Sequence, residues 1–572
     1  MKKVFFLQVL SSLLPAVLGA QALFTDVTFL AGVQQLGLNH GVAIGDFDND
    51  GREDIFCTRF NAPCALYRNL GGGVFVNVAA QAGVAFIATA TVASWADIDN
   101  DGWLDLYVGC RDHDSRLYRN RGDGTFEDIT ASAGVATGKQ VRAALWSDIN
   151  LDGDVDLYVA RLGMENILFL NNGNNTFTDV TAAAGVRDTL LNLGAVFFDY
   201  DNDGDADLYL THDANQPFIL YRNNGNSTFT DVSAASGANL AAMGMGVDFG
   251  DIDNDGWLDL YITNLYDNAL LRNNGNGTFS NVASFAGVND PGMGWGCNWL
   301  DFDNDGWQDI YVANDSYFTP VPNRLYRNTG TGTFLDVAEG TVLMSMEGAY
   351  GSATFDYNGD GKVDIMVANS GGTVGNQLFR NDGDQDNNWV RFHLRGVLAN
   401  RAAIGARVTL DLNGLKLTDE VTAGSGYAGQ NSLILHFGLG QASIIPKVTV
   451  RWPGGDEEVF EFVPPNETWY ITQGTGIITA VESSPSEEVV PFSIDPNPVS
   501  GLARIEFELP EPQLVVLKLF DATGRLHDVV FRSSSREKHV SLTVDAGSWP
   551  RGMDVLVLEA GPWLISRRIV VE

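Results

Sequence analysis

The chain has 572 residues, 45% of them hydrophobic, which is enough apolar material for several packed domains and too much for a disordered polymer. Its 35 Lys plus Arg against 72 Asp plus Glu give a formal charge of −37, so phosphate backbones and anionic membrane surfaces are repelled, and nucleic acid is not expected as a partner. Sixty-three glycines point to many turns and short strands, and four cysteines are too few to be the main support of a chain this long.

In chain order, Met1, Lys2 and Lys3 precede an apolar run from Val4 to Leu18, and Ala20-Gln21-Ala22 forms an A-x-A cleavage pattern. Residues 1–22 therefore read as a signal peptide. The run is shorter than the ~20 residues that span a bilayer, and no comparable stretch follows. An exported chain without a transmembrane segment after signal removal is expected.

One motif then recurs seven times at intervals of 50 to 55 residues. Its acidic positions, numbered 1, 3, 5 and 9, are Asp46, Asp48, Asp50 and Asp54 in the first copy, and Asp97, Asp99, Asp101 and Asp105 in the second. The third has Asp148, Asn150, Asp152 and Asp156; the fourth, Asp199, Asp201, Asp203 and Asp207. The fifth has Asp251, Asp253, Asp255 and Asp259; the sixth, Asp301, Asp303, Asp305 and Asp309; the seventh, Asp356, Asn358, Asp360 and Asp364. Each copy follows a T-F-x-D-V-T-x-x-A-G-V pattern and precedes an L-Y-R-N-like one. From the pattern's phenylalanine (Phe24, Phe75, Phe126, Phe177, Phe229, Phe279, Phe334) to the first Asp is 22 residues in every copy, while Asp to L-Y-R-N varies from 19 to 24. The variable segment reads as a surface loop, the usual seat of binding specificity.

Short β-branched and aromatic runs such as Asp105-Leu106-Tyr107-Val108, bounded by Gly, Asn and Asp, indicate about four strands per unit. Seven such units make an all-β fold with a seven-bladed β-propeller over residues 23–386. A surplus strand at Leu23–Thr28 and a missing one after Leu378–Asn381 predict that the two ends pair and close the ring, which removes the open edges. Carboxylates at 1, 3, 5 and 9 around a Gly at 6 surround one point with oxygens, which suits Ca²⁺ better than the stricter Mg²⁺, so up to seven Ca²⁺ ions are expected on these residues. Cys57 and Cys64 fall on adjacent strands and fit either a local bridge or two buried thiols.

The G-D-F-D-N-D-G and D-L-Y-V-G pieces resemble FG-GAP/VCBS repeats, which in integrin α subunits form a seven-bladed propeller with calcium in some hairpins. The resemblance implies that each Asp loop joins the two inner strands of a blade. All Asp loops then share one face, and the variable segments, the longest being 315–323 and 370–377, share the other.

Downstream, Asn388-Trp389, Asn400-Arg401, Ile404-Gly405-Ala406-Arg407, Gly424-Ser425-Gly426-Tyr427, Phe437-Gly438-Leu439-Gly440 and Trp452-Pro453-Gly454-Gly455 resemble an ASPIC/UnbV domain, assigned to 387–472 as a small β domain. Together with the repeats it resembles bacterial relatives of the cartilage acidic protein family, an extracellular calcium-binding family. After a linker at 473–490, residues 491–572 begin Pro491-Phe492-Ser493-Ile494-Asp495-Pro496-Asn497-Pro498 and end Arg567-Arg568-Ile569-Val570-Val571. They resemble the type A sorting domain of type IX secretion, a β-sandwich, which implies the outer-membrane secretion machinery as a partner and a secreted or surface location. Gly552-Met553-Asp554 departs from that family, which usually has Tyr at the last position.

No G-x-S-x-G, H-E-x-x-H or P-loop motif is present, and no catalytic or organic-cofactor residues are assigned. The leading expectation is a calcium-stabilised adhesion module that binds a protein or glycan through its variable face. The alternatives are a calcium-dependent polysaccharide lyase, which would draw on Arg111, His113, Arg161 and His212, and a purely structural surface component. Arg121-Gly122-Asp123 fills the N-x-G-x-G turn between repeats and reads as a turn.

Overall fold

A computed structural model describes residues 23–479 apart from 317–319, 371–373 and 384–385, and most of 492–571. The signal-peptide segment, and the linker from residue 480 to 490, lie outside the described residues.

Seven four-stranded antiparallel sheets follow one another along 23–383. Their innermost strands are Asn39–Gly45, Ile87–Ala96, Val141–Ser147, Asn192–Phe198, Gly244–Gly250, Gly294–Leu300 and Ala349–Phe355. Each packs on the next, and the seventh packs on the first, so the sheets form a closed ring of blades. Closure is covalently out of sequence: strand Phe24–Asp26 supplies the outer edge of the seventh blade, with Phe24 opposite Asn381. This is the pairing that the surplus and missing strands predicted.

The conserved spacing inside each unit has a packing origin. The pattern's phenylalanines are all buried, from Phe24 at 1% exposure to Phe177 and Phe229 at 8%. The D-V-T-x-x-A-G part forms one-turn helices in the first six units, such as Thr28–Ala31, closed by a left-handed glycine such as Gly32 (φ 78°). These turns are too short to leave a 3.6-residue period, and the sequence shows none.

The asparagine of L-Y-R-N joins blades. Asn120, Asn171, Asn223, Asn273, Asn328 and Asn381 each donate through Nδ2 to a carbonyl in the preceding blade's Asp loop (2.7–3.0 Å). Asn69 does the same to Tyr357 of the seventh blade at 3.0 Å, completing the circle. A second chain of bonds runs the other way: the fourth loop position, Asn49, Asn100, Asn202, Asn254 or Asn304, donates to the sixth-position carbonyl of the next loop at 2.8–3.2 Å.

The third loop breaks that chain because Leu151 occupies the fourth position, with φ 59° and 36% exposure. Leucine is strained in the left-handed region, where Asn is at ease, and it has no donor for Gly204 O. Leu151→Asn is expected to stabilise the chain by about 1–2 kcal/mol, combining relief of strain with one new hydrogen bond. An unchanged or lower denaturation midpoint in urea would contradict this.

Residues 388–479 form two four-stranded sheets face to face, the last strand, Gly476–Thr479, extending the unit past residue 472. The unit sits on the Asp-loop face, and its segment 423–432 enters the axial channel. There Trp146 N donates to Ala423 O (3.0 Å), Val247 N to Gly426 O (3.1 Å), Val42 N to Ala428 O (3.1 Å), and Trp95 N to Gln430 Oε1 (2.7 Å). Glycines on both sides permit this approach: a Cβ on Gly41 would lie 2.7 Å from Ala428 O, and one on Gly246 2.9 Å from the Gly426 carbonyl carbon. The core consequently runs without a break from blade residues such as Val92, Trp146 and Met245 into Val390, Phe437 and Trp469 of the second unit.

The C-terminal unit has one sheet of Phe492–Asp495, Leu502–Glu508 and His539–Asp545 and another of Leu514–Phe520, Leu526–Ser534, Gly552–Ala560 and Trp563–Val571. A shared core that includes Ile505, Leu517 and Leu556 makes it a sandwich. All four cysteines of the chain are free and buried, so Cys57 and Cys64 make no bridge.

Candidate metal centres on the aspartate loops

Each Asp loop joins the first and second strands of its blade, so the seven lie on one face, and the segments between second and third strands lie on the other. The first aspartate folds the loop onto itself: Asp46 Oδ1 accepts from Asp50 N (3.1 Å) and Oδ2 from Gly51 N (2.8 Å), and the same two bonds recur in the other six loops. The ninth aspartate ties the hairpin base. Asp54 Oδ2 accepts from Phe47 N and Oδ1 from Asn69 N, and Asp105, Asp156, Asp207, Asp259, Asp309 and Asp364 repeat both contacts. Position 9 is thus a structural anchor first, which explains its recurrence without reference to a metal.

Position 3 behaves differently. Oδ1 of Asp48, Asp99, Asn150, Asp201, Asp253 and Asp303 is buried and has no hydrogen-bond donor. Leaving a buried acceptor unmet costs about 1–3 kcal/mol, and the same empty lone pair recurs in six loops out of seven. Oxygens of positions 1, 3 and 5 converge within 4.8 Å in the first, second, fourth and fifth loops, and those of Asp301, Asp303 and Asp309 do so in the sixth. An all-oxygen cluster with an unsatisfied member fits a hard cation. Asp309 is the ninth-position carboxylate that joins such a trio; in the other four loops position 5 takes that place.

Burial, reinforced by neighbouring carboxylates, raises the loop acids. Asp46, Asp97 and Asp251 are pushed up to about 7, and Asp148 and Asp201 to about 6. The arginine of L-Y-R-N partly offsets that repulsion: Arg119 pairs with Asp99 (2.5 Å) and Asp101 (3.1 Å), Arg272 with Asp253 (2.7 Å), Arg327 with Asp303 (2.6 Å) and Asp305 (3.0 Å), and Arg68 with Asp48. Reading the loops alone misses these arginines, although their fixed place beside the linking asparagine was the available signal.

The second unit covers part of this face. Arg391 reaches Asp356 (3.2 Å) and Glu53 (3.0 Å); Arg407 pairs with Glu420 (2.7 Å) and donates to Asp199 O (2.8 Å), and Arg451 pairs with Asp199. His436 contacts Asn304 Oδ1 at 2.7 Å, and Gly438 leaves no room for a Cβ against Asp301 and Asn304.

On the variable face, rings from three blades meet the tip of the axial segment. Trp295 lies 4.5 Å from Tyr427 and 4.8 Å from Tyr350, and His40 stacks on Phe60 at 4.6 Å. Segments 315–323 and 370–377 are partly outside the described residues, but their described ends border this cluster: Tyr350 interacts with Asp315 and Ser370. Two of the four groups named for a lyase are held in structural bonds. His212 is fully buried between Asp188 (2.9 Å) and Pro217 O, Arg161 donates to Thr137 O and Glu165 O, and Arg111 and His113 are exposed on the second blade. Arg121-Gly122-Asp123 lies in a turn closed by Arg121 N to Thr125 O (3.0 Å).

Two family models match the chain. A model described as FG-GAP-like repeat matches residues 46–108, 97–159, 148–210, 199–262, 253–312 and 301–367, and one described as ASPIC and UnbV matches 396–478. Cartilage acidic protein 1 of Mus musculus is 26% identical over 471 residues, covering 73% of this chain and 71% of that protein; the Homo sapiens protein is 26% identical with 73% and 69% covered. Among solved structures, a lectin of Agrocybe aegerita that recognises non-reducing terminal N-acetylglucosamine gives a TM-score of 0.35 at 18% identity, over 52% of this chain and 79% of that one.

Proposed function

The chain belongs to the FG-GAP-like repeat family, and on that premise we propose that it is an exported calcium-binding propeller that holds a protein or glycan on its variable face. The observation that carries the metal half is the set of buried third-position oxygens without donors. Positions 1, 3 and 5, with Asp309 in the sixth loop, would hold the ions, which supply positive charge where clustered carboxylates otherwise repel. The metal has no reaction to perform in this reading; it fixes the loops that connect neighbouring blades.

The binding half rests on the half-buried Trp295 and Tyr350 and the neighbouring variable segments, at the end of the axis opposite the covered face. With His212 and Arg161 already engaged in structural bonds, binding without turnover is favoured over lyase chemistry. Export rests on the leader at 1–22, and passage through a type IX system on the sequence of 491–572.

Protein and glycan arrays probed with the full chain in calcium, then washed with EDTA, test this reading. Retention that EDTA reverses is the expected result. Conversion of acidic polysaccharides to unsaturated products would replace the binder with the enzyme.

A further inference from the structure

The seventh loop does not fit a divalent cation as its companions do. Its third position is Asn358, which is exposed, and Asn358 Oδ1 is met internally by Asp360 N at 3.2 Å, whereas the equivalent oxygen in all six other loops is buried without a donor. Asn358 Nδ2 donates to Asp360 Oδ2 (2.9 Å), a bond that the third loop shares between Asn150 and Asp152 (2.9 Å), so the exposure and internal satisfaction of Asn358 Oδ1 are what set the seventh loop apart. As in the third loop, which also has Asn at position 3, no trio of its carboxylates converges. The blade's own arginine, Arg380, pairs with Asp382 at 2.6 Å and meets Tyr357 rather than the loop's carboxylates.

A cation is nevertheless present, supplied by the protein; Arg451 meets Asp199 of the fourth loop in the same way, but there the third-position oxygen still lacks a donor. Arg391 of the second unit, with a side chain 9% exposed, places Nη1 3.2 Å from Asp356 Oδ2 and Nη2 3.0 Å from Glu53 Oε2. Asp356 belongs to the seventh blade and Glu53 to the first, so this guanidinium spans the seam where the ring closes. The seventh loop also lacks the fourth-position asparagine that links other loops to their successors; Gly359 stands there. The arginine therefore bridges a junction that the fourth-position asparagine bonds leave open and that the Asn69 bond to Tyr357 O (3.0 Å) spans. A planar fork with fixed donors suits two carboxylates on separate blades, as a lysine would not.

We propose that the seventh Asp loop binds the guanidinium of Arg391 in place of a divalent ion, so that the propeller takes at most six ions and the seventh loop fastens the second unit across the closing seam. The proposal rests on the calcium reading of the other loops, and its test separates the two. Calcium stoichiometry of the full chain is measured by isothermal titration and native mass spectrometry for the parent, Asp99→Ala, Asn358→Ala and Asp356→Asn. Asp99→Ala is expected to lose one ion, and Asn358→Ala and Asp356→Asn none. In EDTA, Arg391→Met and Asp356→Asn should each lower the melting temperature, and the double variant should fall by less than their sum, because both remove one contact.

Loss of an ion in Asp356→Asn or Asn358→Ala alongside the loss in Asp99→Ala would overturn this inference and leave the calcium reading standing. A parent that binds no calcium at all would overturn both. Additive melting losses for Arg391 and Asp356 would remove the clamp.

Discussion

EDTA is expected to lower the melting temperature of the full chain at pH 7.5 by on the order of 10 °C or more, and excess calcium to restore it. An ion present at a thousand times its dissociation constant stabilises the folded state by about 4 kcal/mol per site, and several sites act on the same ring. Removing the ions also exposes the repulsion among carboxylates that burial has already pushed towards neutrality, Asp46, Asp97 and Asp251 to about 7. The direction with pH follows. A carboxyl group raised in the folded state keeps a proton that the unfolded chain, with its ordinary pKa of about 4, has released, so stability falls as pH climbs between those values. The metal-free protein should therefore melt higher at pH 5.5 than at pH 7.5. With calcium present that trend should flatten or reverse, since protons then compete with the ion for the same oxygens. Equal melting curves with and without EDTA would remove the ions from the account of stability.

Much of this molecule is legible in its sequence because the repeat fixes what a single copy leaves ambiguous. The constant 22-residue interval from phenylalanine to aspartate could only mean a rigid element, and it proves to be an outer strand, a one-turn helix in six of the seven units, and the crossing to the next inner strand. Ring closure followed from one strand too many and one too few. What escaped was every side-chain interaction between units. That Asn69 reaches Tyr357, or Arg391 reaches Glu53, depends on chain segments brought together only by closure. The ninth aspartate has a second role that its recurrence alone did not reveal: its two oxygens accept from backbone N–H groups and tie the hairpin base in every loop, and in the sixth loop Asp309 also joins the carboxylate trio.

The second unit meets the ring on opposite sides. Arg391 grips the seam of the first and seventh blades, and Arg407 and Arg451 grip Asp199 of the fourth, which lies across the axis in a seven-membered ring. Between them the segment 423–432 fills the channel. A unit held at both ends of a diameter and threaded through the centre opposes any opening of the ring, a constraint that strand pairing in the seventh blade alone would have to bear.

Ending the chain at residue 386 is accordingly expected to damage the propeller itself. The channel walls would lose the acceptors of Val42, Trp95, Trp146 and Val247 N–H, and the core shared with Val390, Phe437 and Trp469 would be cut through. Water can replace the hydrogen bonds but not the apolar burial. Calorimetry of residues 23–479 should show one transition for both units, and residues 23–386 should melt at least ~10 °C lower or fail to fold, since several kcal/mol of burial vanish together. A point variant localises the effect. Tyr427 is 2% exposed and touches Trp295, Tyr350 and His40, so Tyr427→Ala should cost about 3–5 kcal/mol, as truncation of a buried aromatic does. Leu398→Ala in the same unit, 76% exposed, should change stability by less than about 0.5 kcal/mol. Two separate transitions, with Tyr427→Ala melting like the parent, would mean that the axial segment merely rests in the channel and that the ring closes unaided.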